Sequence, residues 1–230
     1  MSNPDAYILL VASLPSSERL FVAKRPPLSR IRLDKRLAWL TDEDAETLAC
    51  IESLLSWSAY DRQSNLSTLA QRAHALLEDL RQPTLRNIVV ERMNLRTAVA
   101  ALRLRHGGAP APAEPWGFGD RAAYIAAHWN DPGFGLMASM PWLRRAGDLL
   151  EKGDTLALQR HLLDTTFRQL QRHAAHHLFD FEAVVIYVLK WNIFDRWAKA
   201  DSSAAAQRFS ELSEEALKNF PQLQTEGAPQ

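Results

Sequence analysis

The sequence is poor in the residues and motifs on which many enzymes depend. It contains one cysteine, Cys50, so no disulfide can form within the chain, and the composition fits a reducing compartment. There is no G-x-x-x-x-G-K-[ST] motif to cradle phosphates and no G-x-S-x-G motif to present a catalytic serine. The G-x-G at Gly117 and Gly119 has no preceding strand and no third glycine, which is too little for a dinucleotide site. We therefore predict that the protein is not an enzyme.

The sequence also lacks a charge imbalance and a long apolar run. Lys and Arg together number 27, as do Asp and Glu, so net charge gives no reason to expect binding to nucleic acid or to an acidic membrane surface. The longest nearly apolar run, 183–189, is far shorter than the roughly 18 residues that a membrane span needs. The apolar run 7–14 lacks the basic flank and cleavage site of a signal peptide. We expect a cytoplasmic protein that reaches a membrane only through a partner.

Glycine and proline are concentrated in one segment, 107–119, with the sequence GGAPAPAEPWGFG. It holds four of the nine glycines and three of the twelve prolines. Such a stretch cannot continue a helix, so it predicts a linker between an N-terminal helical subdomain, 1–106, and a C-terminal helical subdomain, 120–220. The polar residues 221–230 are expected to form a flexible tail.

What the sequence does have is apolar residues at helical spacing along most of its length. No convincing alternating strand pattern appears, so the predicted fold class is all-α, with about eight packed helices in two subdomains. The run 7–14 fits either a strand or a helix, and 15–33 is predicted to be mostly irregular because it contains Pro15, Pro26 and Pro27. Cys50 and most of the seven tryptophans fall at apolar positions and are expected in the core.

Predicted helix starts follow capping residues. Thr41 is an N-cap followed by acidic residues in the first turn, and the segment Gly153-Asp154-Thr155 caps a later helix. The longest apolar pattern runs from His176 to Asp201 and is apolar on most faces, so this helix must be buried on several sides. We expect it to end at 201–203, before a last amphipathic helix.

The two longest predicted helices carry the candidate partner-binding residues. These are Glu91, Asn94 and Arg96 in the first helix, and Asp180, Glu182, Lys190 and Trp191 in the second. The plain interpretation of the first group is a solvated helix face whose charge pairs contribute little. The more specific alternative is a polar network between helices or with a partner. Large aromatic side chains such as Trp191 are favoured interface anchors.

A histidine pair is the weak candidate for a metal site. His173 and His177 are four residues apart, so both rings would share one helix face. The H-E-x-x-H arrangement of zinc-dependent hydrolases is missing. We therefore expect no bound metal and no cofactor.

Two sets of segments resemble an uncharacterised bacterial protein family whose genes lie in V/A-type ATPase operons. The first is YILLVASLP with the later PPL, at 7–15 and 26–28. The second set is PGFGL, PWL, FDFEA, YVLK and RW, at 132–136, 141–143, 179–183, 187–190 and 196–197. By operon position this family is similar in role to the C, or d, subunit of the rotary ATPase, an all-helical socket that sits on the membrane rotor ring and receives the central stalk. In that subunit an acidic residue precedes Asn-Leu-Arg, and Glu91 with 94–96 resembles this element.

The resemblance implies a non-catalytic subunit that couples the central stalk to the membrane rotor ring. Its partners would be stalk and ring subunits, with no nucleic acid, and it would associate peripherally with the inner membrane through the complex. The chain is shorter than the usual three-part subunit and has no three-fold repeat, so a helical assembly factor or adaptor for the same complex is the alternative. A metal-dependent enzyme built on the histidine cluster is a third hypothesis.

Overall fold

The computed structural model describes residues 4–16, 25–56, 66–112 and 116–219. Within these ranges the prediction of an all-α fold is confirmed, with nine α-helices and no strand. The helices are α1 (Pro4–Ser13), α2 (Arg30–Leu37), α3 (Asp42–Leu55), α4 (Leu66–Asp79), α5 (Pro83–His106), α6 (Gly119–Ala127), α7 (Trp142–Glu151), α8 (Thr155–Ala174) and α9 (Phe181–Asn219), with a 3-10 turn at Pro132–Gly135. None of the helices in the described ranges combines the length and apolar character needed to cross a bilayer.

The predicted capping residues begin their helices as expected. The Thr41 side chain accepts a hydrogen bond from the backbone N–H of Asp44, and the Asp154 carboxylate accepts one from the N–H of Ala157 at 2.9 Å. Each bond satisfies an N–H group that has no partner inside its helix.

The N-terminal region contains more helix than the sequence predicts. The sequence pattern of residues 7–14 fits either a strand or a helix. In the structure they lie mostly in the helix α1, where Leu10 is buried. The segment predicted to be mostly irregular ends before residue 33, because α2 begins at Arg30; residues 25–29 are irregular, and 17–24 lie outside the described residues. The prolines precede this helix, and Leu33 packs into the core from it.

The expectation that Cys50 lies in the core is wrong, whereas five of the six described tryptophans lie in or against the core, as predicted for most of them. Cys50 is exposed, because the buried side of α3 is formed by Leu48, Ile51, Leu54 and Leu55. Trp39 is 56% exposed at the end of α2, whereas Trp129 and Trp191 lie in the core. Three further tryptophans, Trp116, Trp142 and Trp197, pack partly buried against the core, and Trp57 lies outside the described residues.

The last helix differs from its prediction at both ends. It begins at Phe181, five residues after His176, and it continues without a break to Asn219. The predicted end at 201–203 is wrong. Serine and aspartate lower helix propensity by only a few tenths of a kcal/mol per residue, and no proline or glycine lies there to interrupt the backbone.

Two hydrophobic clusters form the core, and two helices contribute to both. The first cluster surrounds the start of α9, from Phe181 to Phe194, with side chains of α1, α3 and α4. The second joins α6, the 3-10 turn and α7. Helix α5 supplies residues up to Met93 to the first cluster and residues from Leu95 onward to the second, and α8 is divided in the same way. The candidate residues on α5 therefore lie where the two clusters meet.

Candidate partner-binding site

An open cleft of about 620 Å³ lies beside the middle of α5. Glu91 and Asn94 line it from α5, and Trp142 lines it from the start of α7. The facing side of α8 carries residues at helical spacing, which places them on one face of that helix; they are His161, Asp164, Thr165, Arg168, Gln169 and Arg172. The structure therefore brings Glu91 and Asn94 together at a surface that another molecule can enter.

The acidic residues of the cleft already have basic neighbours. The Glu91 carboxylate lies 3.2 Å from Nε2 of His173, which belongs to the last turn of α8. This contact joins α5 to α8. Within α8, the Asp164 carboxylate lies 2.9 Å from the Arg168 guanidinium. At Glu91 the structure thus contains a polar contact between two helices, of the kind that the network hypothesis describes.

Arg96 points away from the cleft and is buried. Its guanidinium donates hydrogen bonds of 2.6 Å to the carbonyl oxygens of Leu54 and Ser56, at the C-terminus of α3. Carbonyls at a helix C-terminus lack partners inside the helix, so Arg96 satisfies two of them and holds α3 against α5. Arg92 is buried nearby; burial lowers its pKa to about 9, and the positive charge of Arg96 contributes in the same direction.

Asp180 stands immediately before α9 and has a capping role. One of its carboxylate oxygens accepts a hydrogen bond from the N–H of Ala183 at 2.8 Å, and the other lies 2.7 Å from Nδ1 of His177. The other ring nitrogen of His177 lies 2.8 Å from the Thr84 hydroxyl on α5. The turn between α8 and α9 is therefore fastened to the first turn of α5.

The two histidines proposed as metal ligands contact different groups. His173 contacts Glu91, and His177 contacts Asp180 and Thr84. Among the described residues, the potential ligand atoms of His177, Asp180 and Glu182 do lie within 4.8 Å of one another. Both ring nitrogens of His177 are engaged, however, and the positive end of the α9 dipole opposes a cation. The geometry therefore favours a helix cap at this position.

Lys190 and Trp191 are buried in the first hydrophobic cluster and do not line the cleft. The Lys190 ammonium lies 5.5 Å from the centroid of the Phe167 ring. The Trp191 indole N–H donates a 2.8 Å hydrogen bond to the carbonyl of Leu28, and the Arg30 guanidinium lies 5.7 Å from the centroid of its ring. These contacts hold the segment before α2 against α9.

Sequence patterns missed a polar network around Glu52. Arg30 donates two hydrogen bonds to the Glu52 carboxylate, at 2.6 and 3.0 Å, and the Asn192 amide donates a third at 2.8 Å. The hydrogen bond with Glu52 raises the pKa of Arg30. The three residues belong to α2, α3 and α9, and their separation along the chain leaves no local signal.

Comparison with known proteins found no matching family model, no matching curated protein and no matching solved structure. The indications of function are therefore the resemblance described above and the arrangement of polar residues along α5.

Proposed function

We propose that this protein is a non-catalytic helical subunit of a bacterial V/A-type rotary ATPase, and that it joins the central stalk to the membrane rotor ring. The observation that carries the proposal is the position of the acidic-Asn-Leu-Arg element on α5. Glu91 and Asn94 face the open cleft, while Arg96 is bonded inside the protein to the end of α3. One short stretch of helix thus connects a surface open to a partner with the core.

The mechanical requirements of such a subunit support the proposal. A coupling subunit must pass force from one contact to another without bending. Helices α5 and α8 border the cleft, and each packs into both hydrophobic clusters. Because close-packed protein interiors have low compressibility, a load applied in the cleft would reach both clusters.

In this proposal the chain supplies packing and polar contacts, and its partners supply ATP hydrolysis and ion movement. The polar groups noted in the sequence contribute largely to folding: Asp180 caps α9, and Arg96 bonds the end of α3. The protein would act at the cytoplasmic side of the inner membrane and bind there through the complex, without nucleic acid.

Affinity isolation of the tagged full-length protein tests the proposal. Membranes are solubilised in mild detergent, and co-purifying proteins are quantified by mass spectrometry. We expect central-stalk and rotor-ring subunits in constant ratio. Asn94→Trp should reduce that recovery, because the large uncharged side chain fills part of the cleft. Asn87→Trp is the matched control, since Asn87 is exposed on the same helix and does not line the cleft. Recovery of the protein without those subunits would refute the proposal.

A helical assembly factor for the same complex is the second candidate. It is favoured by the sequence of residues 1–230, in which no three-fold repeat like that of the three-part subunit is found. Separating the isolated complexes by size distinguishes the two candidates. A permanent subunit accompanies the fully assembled complex, whereas an assembly factor occurs with incomplete complexes alone.

A further inference from the structure

The cleft beside α5 has more basic than acidic character. It is lined by three arginines, Arg121 of α6 and Arg168 and Arg172 of α8, and by the carboxylates of Glu91 and Asp164. His173, which lies outside the lining, contacts Glu91. Because the three arginines outnumber the two carboxylates, the charge of the lining is positive.

Two of these arginines have no assigned role in the fold. Arg168 is paired with Asp164 within α8. The side chains of Arg121 and Arg172 make no hydrogen bond or ion pair with any residue that the structure describes, and Arg172 is exposed. An arginine presents five N–H donors in a planar fork that matches a carboxylate, so two unpaired arginines on one cleft favour an anionic ligand.

The remaining lining residues indicate which anionic ligand fits. Asn94 and Gln169 offer amide groups that can bond to a peptide backbone, and Leu95, Pro141 and Trp142 offer apolar surface. The volume of about 620 Å³ lies within the range of sites that enclose a ligand of drug size, which is comparable to a few residues of peptide. A free phosphate would use the arginines and leave the apolar surface uncovered.

We propose that this cleft binds an acidic peptide segment of a partner protein, with carboxylates of the segment paired to Arg121 and Arg172. The inference rests on the proposed function. It adds the chemistry of the partner's binding segment, which would belong to a subunit of the rotary ATPase. Asn94 lines the same cleft, so the acidic-Asn-Leu-Arg element and the two arginines would contact the same segment.

Binding of a labelled peptide to the full chain tests the cleft. The probe is fluorescein-labelled hexaglutamate, measured by fluorescence polarisation at low salt, with labelled hexalysine as the opposite-charge probe. We expect hexaglutamate to bind and hexalysine not to bind. Replacing Arg121 and Arg172 together by glutamine should weaken hexaglutamate binding by about tenfold, since two partly exposed ion pairs are lost.

The matched control removes two charges outside the cleft. Arg81 and Arg145 are exposed and do not line it, so Arg81→Gln with Arg145→Gln should change the affinity by less than about twofold. Equal weakening by both double variants, or no hexaglutamate binding by the wild type, would overturn the inference. Displacement of hexaglutamate by inorganic phosphate at the same concentration of charged groups would also overturn it, because the site would then bind small anions.

The result can be separated from the test of the proposed function. If stalk and ring subunits co-purify equally with the wild type and with the Arg121→Gln, Arg172→Gln variant, the two arginines do not contact those subunits, and only this inference fails. If the peptide results hold but no ATPase subunit is recovered with the wild type, the proposed function fails and the acidic-peptide site stands.

Discussion

Tryptophan side chains in this protein differ greatly in their surroundings, and their contributions to stability should differ accordingly. Trp191 is 5% exposed and hydrogen-bonded to the carbonyl of Leu28, whereas Trp39 is 56% exposed. Both lie in apolar patterns in the sequence. The direction of an aromatic side chain depends on which helix packs beside it, and the sequence pattern does not contain that information.

We predict that Trp191→Ala lowers the free energy of unfolding by about 3–5 kcal/mol, because it removes a large buried ring and a buried hydrogen bond. Trp39→Ala should lower it by less than about 1 kcal/mol. Urea denaturation followed by circular dichroism measures both values. Similar losses for the two variants would contradict the burial that distinguishes them.

Tyr187 has a buried hydroxyl with no hydrogen-bond partner among the described residues. Burial raises the pKa of Tyr187 to about 12, and the positive charge of Arg36 opposes part of the increase. An unsatisfied buried hydroxyl destabilises the folded state, so Tyr187→Phe should increase the free energy of unfolding at pH 7 by about 1 kcal/mol. A loss of stability in this variant would show that the hydroxyl has a partner.

The same substitution has a pH dependence of known sign. Because the pKa of Tyr187 is raised in the folded state, its hydroxyl ionises more readily in the unfolded chain. The free energy of unfolding is therefore unaffected by this group below pH 10 and falls as the pH rises from 10 to about 12. The wild type should therefore lose stability relative to Tyr187→Phe over that interval. Tyr124→Phe, at an exposed tyrosine, is the control. A constant difference between wild type and Tyr187→Phe from pH 9 to 12 would contradict the raised pKa.

Sequence patterns predict the start of a helix best where the capping contact is local. Thr41 and Asp154 bond to N–H groups three residues away, within the span that a sequence pattern covers. The start of α9 lies later than predicted, although its cap is also local, because Asp180 accepts a hydrogen bond from the N–H of Ala183. The contact that fastens the preceding turn joins His177 to Thr84 of α5, and a contact between such distant residues leaves no periodic signal.

We predict that Asp180→Ala lowers the free energy of unfolding by about 1–2 kcal/mol, because α9 loses its cap and His177 loses a partner. Asp180→Asn should recover a large part of that loss, since asparagine also caps helices well. Thermal unfolding of the three proteins measures the order. If the asparagine variant were as unstable as the alanine variant, the contact with His177 would outweigh the cap.

The end of α3 provides a second prediction about an element. Arg96→Ala removes both donors from the carbonyls of Leu54 and Ser56, so it should cost about 3 kcal/mol and increase amide hydrogen exchange at the end of α3. Arg81→Ala, at an exposed arginine, should do neither. Unchanged exchange in the Arg96 variant would contradict the anchoring role.

At the scale of the whole molecule, the sequence predicts the all-α fold class but does not predict the cleft. Periodicity of apolar residues is enough to indicate an all-α protein. The cleft gathers Glu91 of α5, Arg121 of α6 and Arg172 of α8, which are brought together only by helix packing. Glu91 and Asn94 could be chosen as candidates because they are polar residues within a helix that is otherwise apolar, but the same pattern also fits a solvated helix face.

A reciprocal purification examines whether this chain belongs to the rotary complex. The V/A-type ATPase would be isolated from the same cells through a tag on a subunit of its catalytic head and analysed by quantitative mass spectrometry. We predict that this protein is present in a fixed molar ratio to the central-stalk subunits in the fully assembled complex. Its absence from a complex that contains the stalk and the rotor ring would contradict the proposed function.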